Sequence, residues 1–253
     1  SLKAEKLYDS ELQYLFRSDS FIISTGVYYM QYKDQLVLTG KLNDVGAPIR
    51  TNVKDSYRLG LEVISKLNFN PIIWSFNLNI SDNKILFFNE YIDNWNTGEQ
   101  QIIPHQQTTI SFSPNLIASS SINWEIFKNH YMSCNLNFDS KYVSQQFLDN
   151  TNNTNRSLPG YAAQDLSLSV NLKKHSSELK IKFLIVNLFN SLYSSFGWTY
   201  PFISSEDYVD FDDPYLIIED DEEQIYEGSQ SYNLSGVYPQ ATRNYMLGIQ
   251  LNF

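Results

Sequence analysis

The chain has 253 residues, 42% of them hydrophobic and 15% aromatic, with 10 Gly, 8 Pro and one cysteine, Cys134. So much apolar material excludes disorder and supports one large all-β unit or two ordinary domains, while the lone cysteine excludes a disulfide framework and a cysteine-rich zinc cluster. Net charge is −10, yet 11 of the 28 acidic residues lie between Glu206 and Glu227, so the remainder holds 17 acids against 18 bases and offers no basic footprint for nucleic acid.

The acidic stretch contains no Lys or Arg and reads as a solvated loop, with cation capture at a pore mouth as the alternative. No apolar run reaches the roughly 18 residues a membrane-spanning helix needs. The start, Ser1-Leu-Lys-Ala-Glu, lacks the apolar core of a signal peptide, which leaves a cytosolic protein or a sequence whose beginning lies upstream.

In chain order, weak period-two alternation occupies residues 8–17, 20–33 and 55–65. It becomes strict from Ile72, where Trp74, Phe76, Leu78 and Ile80 oppose Ser75, Asn77, Asn79 and Ser81. A weaker copy covers 109–124. Then Met132, Cys134, Leu136 and Phe138 oppose Ser133, Asn135, Asn137 and Asp139, and Leu166, Leu168, Val170 and Leu172 oppose Asp165, Ser167, Ser169 and Asn171. Leu179, Ile181, Phe183 and Ile185 follow, and Tyr245, Leu247, Ile249, Leu251 and Phe253 end the chain. Nine strands are predicted. Most reach about ten residues, longer than soluble sheets favour and close to what a tilted strand needs to cross a bilayer.

The spacers alternate in length. Short ones are Arg17–Asp19, Lys66–Pro71, Glu125–Asn129 and Lys173–Ser177; long ones run 35–54, 84–107, 148–160 and 191–240. In an up-and-down antiparallel sheet every long connection then emerges on one side, as in transmembrane β-barrels of bacterial outer membranes. Trp74, Trp124 and Tyr245 near the ends of the apolar bands suit a membrane interface. Ser75, Asn77, Asn137, Asp165 and Gln250 would line the lumen. A soluble β-sandwich lectin alternates equally well, but needs a second sheet over its apolar face.

Longer segments resemble a known family. Tyr32-Lys-Asp-Gln-Leu-Val-Leu-Thr-Gly-Lys-Leu-Asn-Asp-Val-Gly and Thr51-Asn-Val-Lys-Asp-Ser-Tyr-Arg-Leu-Gly-Leu-Glu are similar to the barrel of TonB-dependent receptors, particularly of the Bacteroidetes type. Tyr142-Val-Ser-Gln-Gln-Phe-Leu-Asp-Asn-Thr, Val186-Asn-Leu-Phe-Asn-Ser-Leu-Tyr and Tyr238-Pro-Gln-Ala-Thr-Arg-Asn-Tyr agree in family order.

The resemblance implies an outer-membrane location and a barrel of about 22 strands around a plug, of which residues 1–253 would be the C-terminal nine strands. It places the plug, the earlier strands and the contact with TonB upstream of this sequence. It further implies uptake of a scarce, large solute: an iron siderophore in the first place, with vitamins and glycans also fitting. A passive porin sharing the wall but lacking the plug is the rival within the membrane. The terminal pattern of Tyr245, Leu247, Ile249, Leu251 and Phe253 resembles the signal read by the barrel assembly machinery, and outer-membrane lipid is the expected surrounding.

Catalytic chemistry is not indicated. His105, His130 and His175 are far apart in sequence and read as surface residues of a loop and two turns, which argues against a metal triad or catalytic dyad. No phosphate-binding loop, dinucleotide fingerprint, nucleophile elbow or zinc-protease motif occurs. The expectation is no enzyme, no cofactor and no metal. Ligand contacts are expected on the outer loops, where Tyr91 and Trp95 in one and Trp198 and Tyr200 in another offer stacking faces beside polar groups.

Overall fold

The computed structural model describes residues 2–42, 48–175, 177–219 and 230–253. In chain order its strands are β1 (Lys6–Arg17), β2 (Phe21–Leu42), β3 (Pro48–Phe69), β4 (Ile72–Asn94), β5 (Gln100–Thr109), β6 (Leu116–Lys128), β7 (Met132–Val143) and β8 (Gln146–Phe147). There follow β9 (Ser157–Leu158), β10 (Tyr161–Lys174), β11 (Ser177–Val186), β12 (Ser194–Ser204), β13 (Leu216–Glu219), β14 (Gln230–Pro239) and β15 (Asn244–Asn252).

Nine of these form one antiparallel meander in the order β1-β2-β3-β4-β6-β7-β10-β11-β15. They correspond to the nine alternating segments, with one correction: the strand expected over 109–124 begins at Leu116, because Thr109 ends β5. β1 and β15 are not paired with each other among the described residues, so the sheet is an open arc of wall.

Register turns the alternation into continuous rows. Trp74, Ile122, Phe138, Leu166, Ile185 and Tyr245 stand opposite one another across six strands, and Ile72, Trp124, Leu136, Leu168, Phe183 and Leu247 form the next such row. Since a slip of one residue would turn every side chain to the other face, each strand is locked by its neighbours' pattern. The polar face has its own rows, Ser75–Ser121–Asp139–Asp165 among them. Asn77 donates to Ser119 at 3.3 Å and Asn171 to Ser133 at 3.2 Å across that face.

The short connections at 18–20, 70–71 and 129–131 are tight turns, and the fourth, between β10 and β11, has His175 in a turn and residue 176 outside the described residues. Among the described residues, three of the four long ones are mostly strand. β2 and β3 pair out to Leu42 and Pro48, with 43–47 outside the described residues. The 84–107 stretch is the β4–β5 hairpin, and 191–240 contains the β12–β14 hairpin flanked by β13. Only 148–160 keeps the character of a loop, with β8 paired to β9 at its base.

These extensions carry the core. Val37, Val53, Ile85, Phe88, Ile92, Ile110, Leu148, Leu158, Phe202, Ile203 and Tyr232 are all buried, and all lie at or beyond one end of the wall strands. The rows of the wall itself are open, with Trp124 43% and Leu247 66% exposed.

The departure of the last excursion from the wall is fixed by two asparagines. Asn187 and Asn190 adopt φ of 55° and 56°, a left-handed conformation that asparagine tolerates better than most residues. The Asn187 side chain accepts from Ser191 N–H at 2.8 Å and donates to the Ser191 and Ala241 carbonyls at 2.9 and 3.2 Å. Asn190 accepts from Arg243 N–H at 2.9 Å. The chain leaving β11 is thus clasped to the chain entering β15, so β12 and β14 leave the wall side by side.

Candidate ligand-facing site

Three elements meet above the wall: the outer half of β4 with β5, the 148–158 segment, and the small sheet β12–β14–β13. They are joined by Arg156, which is only 2% exposed. Its guanidinium donates to Glu219 at 2.6 Å through Nε and to Asp149 at 3.1 Å through Nη1, and Nη1 also bonds Glu90. Asn153 adds a donor to Glu219 at 3.1 Å. A buried guanidinium needs such a cage, since desolvation is tolerable only where every donor finds an acceptor. Burial opposes the charge on Arg156, but its bonds to Glu219 and the fields of Glu90, Asp149 and Glu219 outweigh that and hold it above its ordinary pKa.

His105 corrects an expectation. Rather than lying free on a loop it sits on β5, half-buried, with Nε2 2.7 Å from Glu90. Burial alone would raise the Glu90 carboxyl, yet the bond from His105 and the charge of Arg156 hold it below its ordinary value. His130 and His175 are exposed on turns as expected. Nothing in the sequence signalled the node, because its members are as far apart as Glu90 and Arg156, 66 positions. Among the described residues, no group of three or more His, Cys, Asp or Glu is placed to hold a metal ion.

The β12–β14 hairpin has two unlike faces. Gly197 lies against the 148–158 segment, where a Cβ would come within 3.1 Å of Leu148 and 3.5 Å of Leu158. The opposite face carries a ladder of rings at every second residue: Phe196, Trp198, Tyr200 and Phe202. Phe196 stacks on Phe112 with centroids 4.9 Å apart and on Tyr238 at 5.6 Å; Trp198 meets Tyr215 at 5.9 Å. Gly236 is opposite Trp198, and a Cβ there would fall 2.5 Å from the indole Nε1, so the ring lies flat over the strand only because position 236 is glycine.

The expected ligand residues come out on strands instead of loops, because the strands run on past the wall. Trp95 lies just beyond β4 and stacks on Phe202 at 4.0 Å. Tyr200 donates to Asp93 at 3.0 Å, beside a short parallel pairing of β12 with the end of β4. Trp95 and Tyr200 therefore share one neighbourhood, Trp198 continues the same face back toward the wall, and Tyr91 is half-buried on β4 two residues before Asp93. The terminal set Tyr245, Leu247, Ile249 and Leu251 stands on β15, which pairs with β11 along one edge, and Phe253 is 93% exposed.

Residues 1–190 match the family described as TonB dependent receptor-like, beta-barrel. No curated protein sequence matches. Among solved structures, the ferric yersiniabactin uptake receptor FyuA from Yersinia pestis is similar at a TM-score of 0.60 and 17% identity over 98% of this chain and 29% of that one. The ferric citrate transporter FecA, unliganded, gives 0.60 and 15% over 98% and 31%. BauA, the ferric preacinetobactin receptor from Acinetobacter baumannii, gives 0.56 and 14% over 92% and 29%. At these identities the likeness is one of fold, and the chain spans less than a third of each structure's length. The chain belongs to the TonB-dependent receptor β-barrel family, whose members are transport receptors of Gram-negative outer membranes and not enzymes.

Proposed function

We propose that residues 1–253 supply the C-terminal nine strands of a plugged barrel of about 22, and that the assembled receptor imports a scarce, large solute, an iron chelate, with energy delivered by TonB. The observation that carries this reading is the division of the chain into a thin wall with continuous apolar rows and a folded outer region on one side of it. Lipid satisfies the rows, and closure of the arc by further strands satisfies the backbone groups at its edges. The polar rows then face a plug, and the outer region meets solute first. FyuA, FecA and BauA, described as handling ferric chelates, support iron as the cargo.

Iron uptake by iron-starved cells carrying the full-length receptor tests the reading. Uptake is expected to vanish both when the receptor is deleted and when TonB is deleted. Uptake that persists without TonB would instead describe a passive pore.

For the last strand we propose a role in assembly, since Phe253 and the alternating residues of β15 form an apolar, strand-ready edge. Removing Phe253 should lower the amount of receptor in the outer membrane, read by heat-modifiable mobility; unchanged levels would refute that role.

A further inference from the structure

The outer surface combines two features that the transport reading does not by itself require. One is the ring ladder on β12, whose members nearer the wall stay open to solvent, Phe196 52% and Trp198 37% exposed, as do their ring neighbours Tyr238 at 54% and Tyr215 at 53%. The other is the charge around it. Segment 206–215 lies across the same face, because Phe211 meets Tyr232 edge-on at 6.2 Å and Tyr215 meets Trp198. That segment brings Glu206, Asp207, Asp210, Asp212 and Asp213. Asp93 stands at the outer end of the ladder, bonded to the Tyr200 hydroxyl.

The stretch of chain that carries them brings no positive charge of its own. Between Lys182 and Arg243 there is no Lys or Arg at all. The buried Arg156 is enclosed on the other side of the hairpin by Glu90, Asp149 and Glu219. Among the described residues, none of the five acids on 206–215 is in an ion pair.

Aromatic faces attract cations through their quadrupoles, and carboxylates do so through their charge, so the two features select the same ligand and repel the same one. Ferric iron held by three catecholates is a trianion. Held by three hydroxamates it is neutral, and a free amine on the same molecule makes it a cation. We infer that the ladder face of β12, with the acids of 206–215, receives an amine-bearing iron chelate of net positive charge and discriminates against anionic ferric catecholates. The inference rests on the iron-chelate reading above and specifies the ligand for it. Trp198 and Phe196 contact the chelate's amine-bearing arm, while the acids raise its local concentration.

The test uses the full-length receptor in detergent micelles and three probes: a ferric tris-hydroxamate with a free amine, the same chelate N-acetylated, and a ferric tris-catecholate. Intrinsic tryptophan fluorescence reads binding. The amine-bearing chelate should bind most tightly and lose about 5- to 30-fold in affinity on acetylation, the range open to one cation–π contact with nearby carboxylates. Its binding should weaken with salt. Trp198→Leu should remove most of that preference, with Trp198→Phe retaining part of it as a control for folding. Replacing Asp210, Asp212 and Asp213 by Asn should narrow the gap between the amine and its acetylated form. Equal affinity of those two forms, or tighter binding of the catecholate trianion, would overturn the inference and leave the iron-chelate reading standing. Failure of all three probes to bind would overturn both.

Discussion

The wall and the outer region are built from the same antiparallel strands, and β2, β3 and β4 run through both, yet they obey different physics. In the wall the rows stay open, and on the proposed reading each strand turns one face to lipid and one to the lumen, so no side chain needs burial against another layer. Beyond it the same strands enter water, and their apolar residues must find protein partners. There Ile85 and Phe88 on β4 are buried in a cluster with Val37, Val53 and Ile110; Ile92, Leu148, Leu158, Phe202 and Ile203 are buried as well, and Arg156 sits in a cage of carboxylates. On that reading two solvents act on one sheet, and the surrounding medium decides which residues form a core.

The comparison breaks most sharply at Arg156. Replacing it with Leu leaves Glu90, Asp149 and Glu219 buried without a counter-charge, and the outer region should lose about 3–5 kcal/mol. Limited proteolysis should then cut the β4–β5 and β12–β14 hairpins while the wall keeps its heat-modifiable mobility. Simultaneous loss of the wall would show that the two regions are not separable.

The converse experiment is in the wall. Val170 stands in an apolar row with Cys134, Ile181 and Ile249, whereas its neighbour Ser169 faces the polar side. Val170→Arg should cost about 2–4 kcal/mol of stability in lipid, measured by denaturant unfolding in vesicles. Ser169→Arg should cost well under half as much, and equal costs would erase the distinction between the faces.

Acid should separate the regions more gently. The Glu90 carboxyl is held below its ordinary 4.5, so its contribution is complete above that pH and is lost as pH falls below it through the lowered value. Protease resistance of the outer hairpins should decline on acidification below about 4.5. In Glu90→Gln the decline should be shallower; an identical decline would remove Glu90 from the account.

This difference also explains what the sequence disclosed. Strict alternation, as at Trp74 to Ser81, is what a strand with one apolar and one polar face requires, and it revealed the strands of the wall and the turns that join them. Past Ser81 the chain reads Asp-Asn-Lys-Ile-Leu-Phe-Phe, because both faces of an extension can meet protein, and period two fades. The outer strands therefore looked like loops. β12 is obscured further by Gly197 and Pro201, which suit a strand only where a close neighbour or an edge permits them. Trp95 and Tyr200 could be named as candidates from their polar neighbours, but their meeting at the end of β4 depends on a pairing across more than a hundred residues. The same holds for Arg156, whose partners no local pattern connects.

The central claim is that the rows of the wall cross the outer membrane with the folded region outside. In a Cys134→Ser background, single cysteines at Asn96 and Asp212 in the outer region, and at Asn129 and His175 in the turns, can be probed on intact cells with a membrane-impermeant maleimide. Asn96→Cys and Asp212→Cys should label at once, whereas Asn129→Cys and His175→Cys should label only after the outer membrane is permeabilised. Labelling of the turns first, or of all four positions alike, would contradict the account.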